Sequence, residues 1–255
     1  MGMQLGAQFY TLREYAKDLD SLAESLKRVA DIGYQTVQIS GTCAYSPAWL
    51  KQQLDQNGLR CVLTHVPQSD ITDKTERTAA NHKKFGCRYI GLGSGPNALK
   101  REEDLEAMIS IARTAGRRLH QLGHKLMYHN HHIELGHGAD GRTRLQALAD
   151  ATTPDELGFT LDTYWLQYGG GDPADWAERL RGRIPCVHFK DMTVVDGENR
   201  MAAVGAGNLN FERILAACES GGTEYILIEQ DNCYGEDPFD CLRQSYDYLK
   251  ALGLN

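Results

Sequence analysis

The chain has 255 residues, of which 42% are hydrophobic and 24% are charged, and its formal net charge is −7. These values are those of an ordinary globular protein and exclude intrinsic disorder, collagen and coiled coil as the main class. An acidic chain lacks the basic footprint of a nucleic-acid-binding protein, so no nucleic-acid partner is expected. No apolar run approaches the roughly 18 residues that a membrane span needs, so no membrane partner is expected either.

Targeting and redox signals favour the cytoplasm. The amino-terminal residues lack the pattern of a secretory signal. Seven cysteines lie at scattered positions and form no C-x-x-C pair. An odd number of scattered cysteines is typical of reduced, buried thiols rather than of a disulfide framework. The sequence therefore predicts a cytoplasmic protein.

Predicted helices and strands alternate from the amino terminus onward. Gly33, Gly58, Gly86 and Gly123 each follow a helical stretch, a position that favours glycine because its backbone is left-handed. The strands that follow them are the apolar runs TVQIS, RCVLTH, YIGLG and KLMYHNH. Continuous apolar runs are typical of parallel strands that are covered on both faces.

The helices between these strands are amphipathic. Apolar residues recur at intervals of three and four from Leu19 to Ile32, from Leu105 to Leu122 and from Phe239 to Leu252. Three helix starts are predicted where a capping side chain precedes a proline at the first helical position: Ser46-Pro47, Asp172-Pro173 and Asp237-Pro238.

Eight strands are predicted to end near Gln8, Gln38, His65, Gly93, His129, Asp162, His188 and Glu229. Eight strand–helix units fill about 250 residues, the usual length of a (β/α)8 barrel. An open doubly wound sheet is the competing fold, but it usually has a glycine-rich turn after the first strand, which this sequence lacks. The sequence therefore predicts a single (β/α)8 TIM-barrel domain over residues 1–255.

Ionisable residues stand where the last four predicted strands end, in the segments YHNHHIE, LDTYW, VHFKD and LIEQD. The carboxyl ends of the strands open at one side of a barrel, here called the barrel mouth, so Asp162, His188 and Glu229 should converge there. One imidazole with carboxylates suits a single divalent ion such as Mn²⁺, Mg²⁺, Co²⁺ or Zn²⁺. A bound ion also offsets the cost of burying these charges.

Each of these residues also has a purely structural interpretation. Asp162 suits a helix cap, His188 a core histidine and Glu229 a loop acid. Against this, Asp172 already caps the next helix, and Lys190 follows His188 on the same strand face, where a plain core would not hold it. We therefore expect Asp162, His188 and Glu229 to share one metal ion.

The chain resembles the xylose-isomerase-like TIM-barrel superfamily of sugar phosphate isomerases and epimerases over its whole length. The resemblance is carried by QFYTLREYAKDLDSLAESLKRVADIGYQTVQISG, YHNHHIEL, LDTYWLQYGGGDP, HFKDM, VGAGNLNFERILAACESGG and ILIEQD. It implies that Asp162, His188 and Glu229 bind a divalent metal. The motifs are less specific for a reaction, because the superfamily also includes dehydratases and lyases.

The fourth metal ligand stays open between two residues. The family usually has a Glu after the fifth strand, where this chain has His129-Asn130, and members with a His-Asn-His-x-x-Glu pattern have a Glu slightly later, here Glu134. The ligand is therefore either His129 itself or Glu134 folding back from the loop. We favour Glu134, because it restores the family's shell of three carboxylates and one histidine.

Other residues near the strand ends are expected to bind substrate. Gln38, His65 and Tyr10 suit hydrogen bonds to sugar hydroxyls. Trp165 suits stacking on a sugar ring, although core packing explains it equally well. His131 suits a base or a residue that orients a metal ligand, the alternative being a surface position.

The resemblance implies an isomerase or epimerase that acts on a sugar, keto-sugar or cyclitol by proton abstraction next to a carbonyl, through a metal-stabilised enediolate. Lys190 faces the metal's side of its strand, where a cation would lower its pKa and let it move protons, with His131 as a partner. A dehydratase or lyase with the same site is the alternative for the reaction.

Two weaker alternatives have other functions, an endonuclease IV-like phosphodiesterase and a non-catalytic sugar-binding barrel. The nuclease would need more histidines at the mouth, whereas His82, His120 and His124 fall on or beside predicted helices. The sequence allows a homo-oligomer without predicting one.

Overall fold

The computed structural model describes residues 2–254. Its strands are β1 (Gln4–Gln8), β2 (Thr36–Ile39), β3 (Arg60–His65), β4 (Tyr89–Leu92), β5 (Lys125–His129), β6 (Gly158–Asp162), β7 (Cys186–Phe189), β8 (Asp191–Val195), β9 (Glu198–Ala202) and β10 (Tyr225–Ile228). Eight of them form a closed parallel barrel in the order β1-β10-β7-β6-β5-β4-β3-β2. The other two, β8 and β9, form an antiparallel hairpin after β7.

The helices are α1 (Leu19–Ile32), α2 (Pro47–Gln56), α3 (Gln68–Thr72), α4 (Thr75–Lys84), α5 (Glu102–Ile111), α6 (Arg117–Gln121), α7 (Arg144–Ala151), α8 (Thr163–Tyr168), α9 (Pro173–Arg179), α10 (Phe211–Gly221) and α11 (Pro238–Ala251). A π-helical turn, Ala112–Gly116, joins α5 to α6. In the described part of the chain, no helix combines the length and the apolar composition that crossing a membrane requires.

The predicted (β/α)8 barrel is confirmed, and each barrel strand ends within one residue of its predicted end. Helix starts follow the predicted caps, because the side chains of Ser46, Asp172 and Asp237 accept hydrogen bonds from the first turns of α2, α9 and α11. The four predicted helix-ending glycines all have positive φ, between 63° and 124°.

Strand alternation separates an outer core from an inner one. Outward side chains such as Val37, Ile90 and Val187 pack in the large apolar core that includes the helices. Inward side chains form a smaller apolar cluster of Val62, Leu63, Tyr89, Met127, Cys186 and Leu227. His65, His129, His188 and Glu229 each come two residues after a member of this cluster, so their side chains point the same way and lie one layer nearer the mouth. The inner core is therefore the apolar floor of a polar mouth.

His82 has a structural role away from the mouth. It lies on α4, where its Nδ1 donates to the carbonyl of Thr78 and its Nε2 accepts from the hydroxyl of Thr64, both at 2.7 Å. Burial lowers the pKa of His82 to about 4, because the charged imidazolium is poorly solvated there. The folded protein therefore favours the neutral ring.

This shift predicts a pH-dependent stability. The folded pKa lies below the unfolded one, so His82 contributes stability above about pH 6.5 that is lost as pH falls toward its folded pKa. Between pH 7 and pH 5, we expect the wild type to lose about 2 kcal/mol more unfolding free energy than His82→Gln does. Urea unfolding at both pH values measures this difference. The exposed His120→Gln should behave as the wild type, and equal losses in all three proteins would contradict the assignment.

Candidate active site

Four buried side chains meet at the barrel mouth: His129 ends β5, Asp162 ends β6, His188 lies on β7 and Glu229 directly follows β10. One nitrogen or oxygen atom of each lies within 4.8 Å of those of the other three. These strands are consecutive neighbours in the barrel, which explains the convergence. The structure thus brings together the three residues expected from the strand ends, with His129 as the fourth. These four residues are called the His/Asp/His/Glu cluster below.

His188 is oriented by an amide from the opposite side of the barrel. Its Nε2 lies 2.6 Å from Oε1 of Gln38 and donates to it, and the Gln38 amide in turn donates to Ser40 Oγ at 3.0 Å. The Nδ1 of His188 faces Glu229 Oε2 at 2.9 Å, yet neither atom makes a hydrogen bond of acceptable angle within residues 2–254. Burial alone would lower the pKa of His188, but Glu229 and Asp162 raise it overall.

His129 faces a carboxylate in the same way. Its Nδ1 lies 3.1 Å from the carbonyl of Gly93 and donates to it, and its Nε2 lies 3.1 Å from Asp162 Oδ2. Both histidines thus direct their second ring nitrogen toward a carboxylate oxygen. Such a pair is favourable only when a proton or a cation lies between the two atoms. Two imidazoles and two carboxylates are a suitable donor set for a divalent ion.

Asp162 is both a helix cap and a member of the cluster. Its Oδ1 accepts from the backbone N–H of Trp165, which caps α8, while its Oδ2 faces His129. The backbone N–H of Asp162 donates to Asn130 Oδ1 at 3.0 Å. The two interpretations of Asp162 are therefore compatible, because each uses a different carboxylate oxygen.

Gln8 supports the other carboxylate and was not anticipated. It is the inward-facing end of β1, and its Nε2 donates to Glu229 Oε1 at 3.1 Å. The backbone N–H of Tyr10 donates to Gln8 Oε1 at 2.9 Å, which fixes the amide orientation. The signal was present in the sequence, because Gln8 stands at the same level of the barrel as the four cluster residues.

Lys190 lies between three carboxylates. Its Nζ is 3.0 Å from Asp162 Oδ2, 3.0 Å from Glu229 Oε2 and 3.1 Å from both oxygens of Asp231. Burial would lower the pKa of Lys190, but the three carboxylates raise it well above its ordinary value. The fall in pKa expected from the sequence is for a site that holds a cation, so it stays a prediction; Asp231 was not anticipated as a partner. The pKa of Asp231 is raised to about 7 by burial and by Glu229, against the opposing effect of Lys190.

Glu134, the favoured fourth ligand, lies outside the cluster. Its Oε1 accepts from the Tyr128 hydroxyl at 2.6 Å, and its Oε2 accepts from the backbone N–H of His131 at 2.9 Å. Burial raises the pKa of Glu134. The expectation that Glu134 folds back onto the metal site thus differs from the structure, where these two bonds hold the carboxylate and His129 takes the place beside Asp162.

A cleft of about 380 Å³ opens at the cluster. Tyr10, His65, His131, Trp165 and Lys190 all line it, as the expected substrate-binding and proton-transfer roles require. Gln38 differs from its expected role as a sugar-binding residue. Its side chain is fully buried, and its amide is engaged by His188 and Ser40.

Several groups of the cleft are neutral and lack partners. The Nε2 of His65, the Nδ1 of His131 and the Nε1 of Trp165 make no hydrogen bond in the part of the chain that the structure describes. Burial lowers the pKa of His131 to about 3 and also lowers that of His65. The His65 ring fits because the residue directly after β4 is Gly93. A Cβ atom at Gly93 would lie only 3.0 Å from Nδ1 of His65.

With this fold and site, the chain belongs to the family of xylose isomerase-like TIM barrels, whose model matches residues 26–252. Among its curated relatives are enzymes named inosose dehydratase. That of Lacticaseibacillus casei is 23% identical over an alignment 257 residues long, which takes in 86% of this chain and 85% of the relative. That of Geobacillus kaustophilus (strain HTA426) is 25% identical over 190 residues, covering 66% and 61% respectively.

Solved structures share the fold over nearly the whole chain. A sugar phosphate isomerase/epimerase from Parabacteroides distasonis ATCC 8503 superimposes with a TM-score of 0.82 at 23% identity, covering 98% of this chain and 94% of that one. An L-ribulose 3-epimerase gives a TM-score of 0.75 at 16% identity, covering 99% and 94%. At these identities, the likeness shows the fold alone.

The hydrogen bond from His188 to Gln38 predicts a role for the amide in metal binding. Gln38→Leu removes the acceptor that keeps the hydrogen on Nε2, so Nδ1 is no longer held as a lone pair toward the cluster. We expect Mn²⁺ affinity, measured by titration calorimetry, to fall by about 10- to 100-fold. The exposed Gln52→Leu is the matched control, and an affinity equal to that of the control would contradict the prediction.

The positions of His129 and Glu134 predict opposite outcomes for two substitutions. His129→Gln removes an imidazole from the cluster, so Mn²⁺ affinity should fall by about 10-fold or more. Glu134→Gln alters a group already bonded to Tyr128 and His131, so affinity should stay within about threefold of the wild type. The reverse pattern, with Glu134→Gln the more damaging, would restore Glu134 as the ligand.

Proposed function

We propose that this protein is a divalent-metal-dependent enzyme that removes a proton next to a carbonyl of a sugar, keto-sugar or cyclitol. The observation that supports the proposal most is the His/Asp/His/Glu cluster, in which two imidazole nitrogens face two buried carboxylates at the floor of a polar cleft beside Lys190. A divalent ion held by this cluster would supply a Lewis acid that polarises the substrate carbonyl and acidifies the adjacent carbon.

The chain's own residues have distinct tasks in this proposal. The four residues of the His/Asp/His/Glu cluster hold the ion. Gln8 orients Glu229, and Gln38 orients His188. Lys190 holds or moves a proton at Nζ, which lies at the boundary between the cluster and the cleft. A positioned proton donor or acceptor of this kind contributes about 10²- to 10⁴-fold to a rate.

The opposite wall suits a ligand rich in hydroxyl groups. His65, His131 and Trp165 each present a nitrogen that has no protein partner within residues 2–254. The pKa values of His65 and His131 are lowered, so both rings are neutral at pH 7 and can each donate one hydrogen bond and accept another. Tyr10 adds an exposed aromatic ring to the rim.

Two reactions share the proton-abstraction step. In an isomerase or epimerase the proton returns to a carbon, whereas in a dehydratase a β-hydroxyl group departs as water. The family resemblance supports the first outcome, and the Lacticaseibacillus casei relative named inosose dehydratase, matched over 85% of its length, supports the second. In both, Nζ of Lys190 in its neutral form would accept the proton from carbon, and the ammonium so formed would return it to a carbon or give it to the departing hydroxyl, which leaves as water.

Solvent deuterium exchange tests the shared step and separates the two outcomes. The protein loaded with Mn²⁺, Mg²⁺, Co²⁺ or Zn²⁺ is incubated in D₂O with a panel of ketopentoses, ketohexoses and keto-inositols, and followed by NMR. Deuterium next to the carbonyl is expected, with an isomer or epimer in the first case and an unsaturated ketone in the second. Absence of exchange and of product throughout the panel would contradict the proposal.

Lys190→Met tests the proton-transfer role within that assay. We expect exchange per bound substrate to fall by about 10²-fold or more while metal remains bound, because the positioned proton carrier is lost. Lys84→Met, which alters an exposed lysine of α4, is the control. Unchanged exchange per bound substrate with weaker substrate binding would make Lys190 a binding residue instead.

A further inference from the structure

Lys190 shares its two closest carboxylate atoms with the cluster. Its Nζ lies 3.0 Å from Asp162 Oδ2 and 3.0 Å from Glu229 Oε2. The same two oxygens face Nε2 of His129 and Nδ1 of His188. An ion that binds the cluster must use these oxygens, so the ammonium and the ion compete for the same negative charge.

Asp231 is the carboxylate partner of Lys190 that the cluster does not use. Both of its oxygens lie 3.1 Å from Nζ, and it is absent from the His/Asp/His/Glu cluster, which was sought among the described residues. Its side chain is 22% exposed, compared with 0% for Asp162 and 4% for Glu229. Asp231 therefore approaches the ammonium from the cleft side, where substrate would lie.

The backbone fixes Asp231 in this position. Arg13 Nη2 donates to the Asp231 carbonyl at 2.8 Å, and the backbone N–H of Gln230 donates to Thr11 Oγ1 at 3.0 Å. Both anchors belong to the 3₁₀ segment Phe9–Tyr15 that follows β1. The contact between Asp231 and Lys190 is thus set by two elements of the barrel rather than by a freely moving loop side chain.

We propose that Asp231 is a positioning residue that holds the Lys190 ammonium on the cleft side, so that Asp162 Oδ2 and Glu229 Oε2 are free to bind the ion. The inference rests on the proposed metal-dependent function and adds to it a residue that acts through Lys190. When Asp231 loses its charge, the ammonium keeps only the two cluster oxygens as partners. It then opposes metal binding more strongly, because the charges repel and the ligands are shared.

A double-mutant cycle on metal affinity tests this coupling without using activity. Mn²⁺ binding is measured by calorimetry at constant pH for the wild type, Asp231→Asn, Lys190→Met and the double variant. We expect Asp231→Asn to weaken affinity about tenfold or more when Lys190 is present, but less than about threefold in the Lys190→Met background. If Asp231 acted only through its own charge, Asp231→Asn would weaken Mn²⁺ affinity at least as much in the Lys190→Met background as in the wild type. That result would overturn the inference.

Controls separate this result from other effects. Asp196→Asn removes the same charge from the exposed turn of the hairpin and should leave affinity unchanged, whereas Asp231→Glu should restore much of what Asp231→Asn loses. Lys190→Gln replaces Lys190→Met in the cycle if the latter fails to fold by circular dichroism. A wild type that binds no Mn²⁺ overturns the proposed function as well, whereas binding with additive losses overturns the role of Asp231 alone.

Discussion

The barrel mouth is organised around a buried ammonium group. Lys190 Nζ has carboxylate oxygens of Asp162, Glu229 and Asp231 at 3.0 to 3.1 Å, and these carboxylates compensate the buried charge of the ammonium. An uncompensated buried charge costs several kcal/mol, so the loss of one member destabilises the rest. The compensation requires β6, β7 and β10 to lie side by side, as they do in the barrel. The amides of Gln8, on the neighbouring strand β1, and of Gln38, on β2, complete the arrangement.

The fold and the three central site residues were predictable because they depend on local rules. A strand alternates its side chains with a period of two, and parallel strands of a barrel end at one side. These two rules place Asp162, His188 and Glu229 together, and they direct Lys190 to the same side as His188 while Phe189 packs outward against Phe211. None of this required knowledge of a long-range contact.

The remaining site residues depend on contacts between distant segments. The carboxylate of Glu134 is bound by Tyr128 and by the backbone of its own loop, and no sequence rule sets that choice against metal binding. The role of Gln38 depends on the ring orientation of His188 across the barrel. The hairpin of β8 and β9 is a different case, because Asp196-Gly197 directly after the strand-forming residues Thr193, Val194 and Val195 is a recognisable turn signal that the strand count passed over.

The unequal contribution of the strands has a consequence for how such an enzyme changes its specificity. The cluster residues come from β5, β6 and β7 and from the residue after β10, strands that are adjacent in the barrel, whereas β1 to β3 contribute amides and His65, and glycines stand where β4 and its end face His65. Gln8, Gln38 and the carbonyl of Gly93 link this second half to the cluster by hydrogen bonds. Substitutions elsewhere in the β1 to β4 half, at Tyr10 for example, can therefore reshape the cleft for a different substrate while the reactive half stays intact. Substitutions that change substrate preference should accordingly accumulate in the β1 to β4 half of the barrel and be rare in the half that carries the cluster.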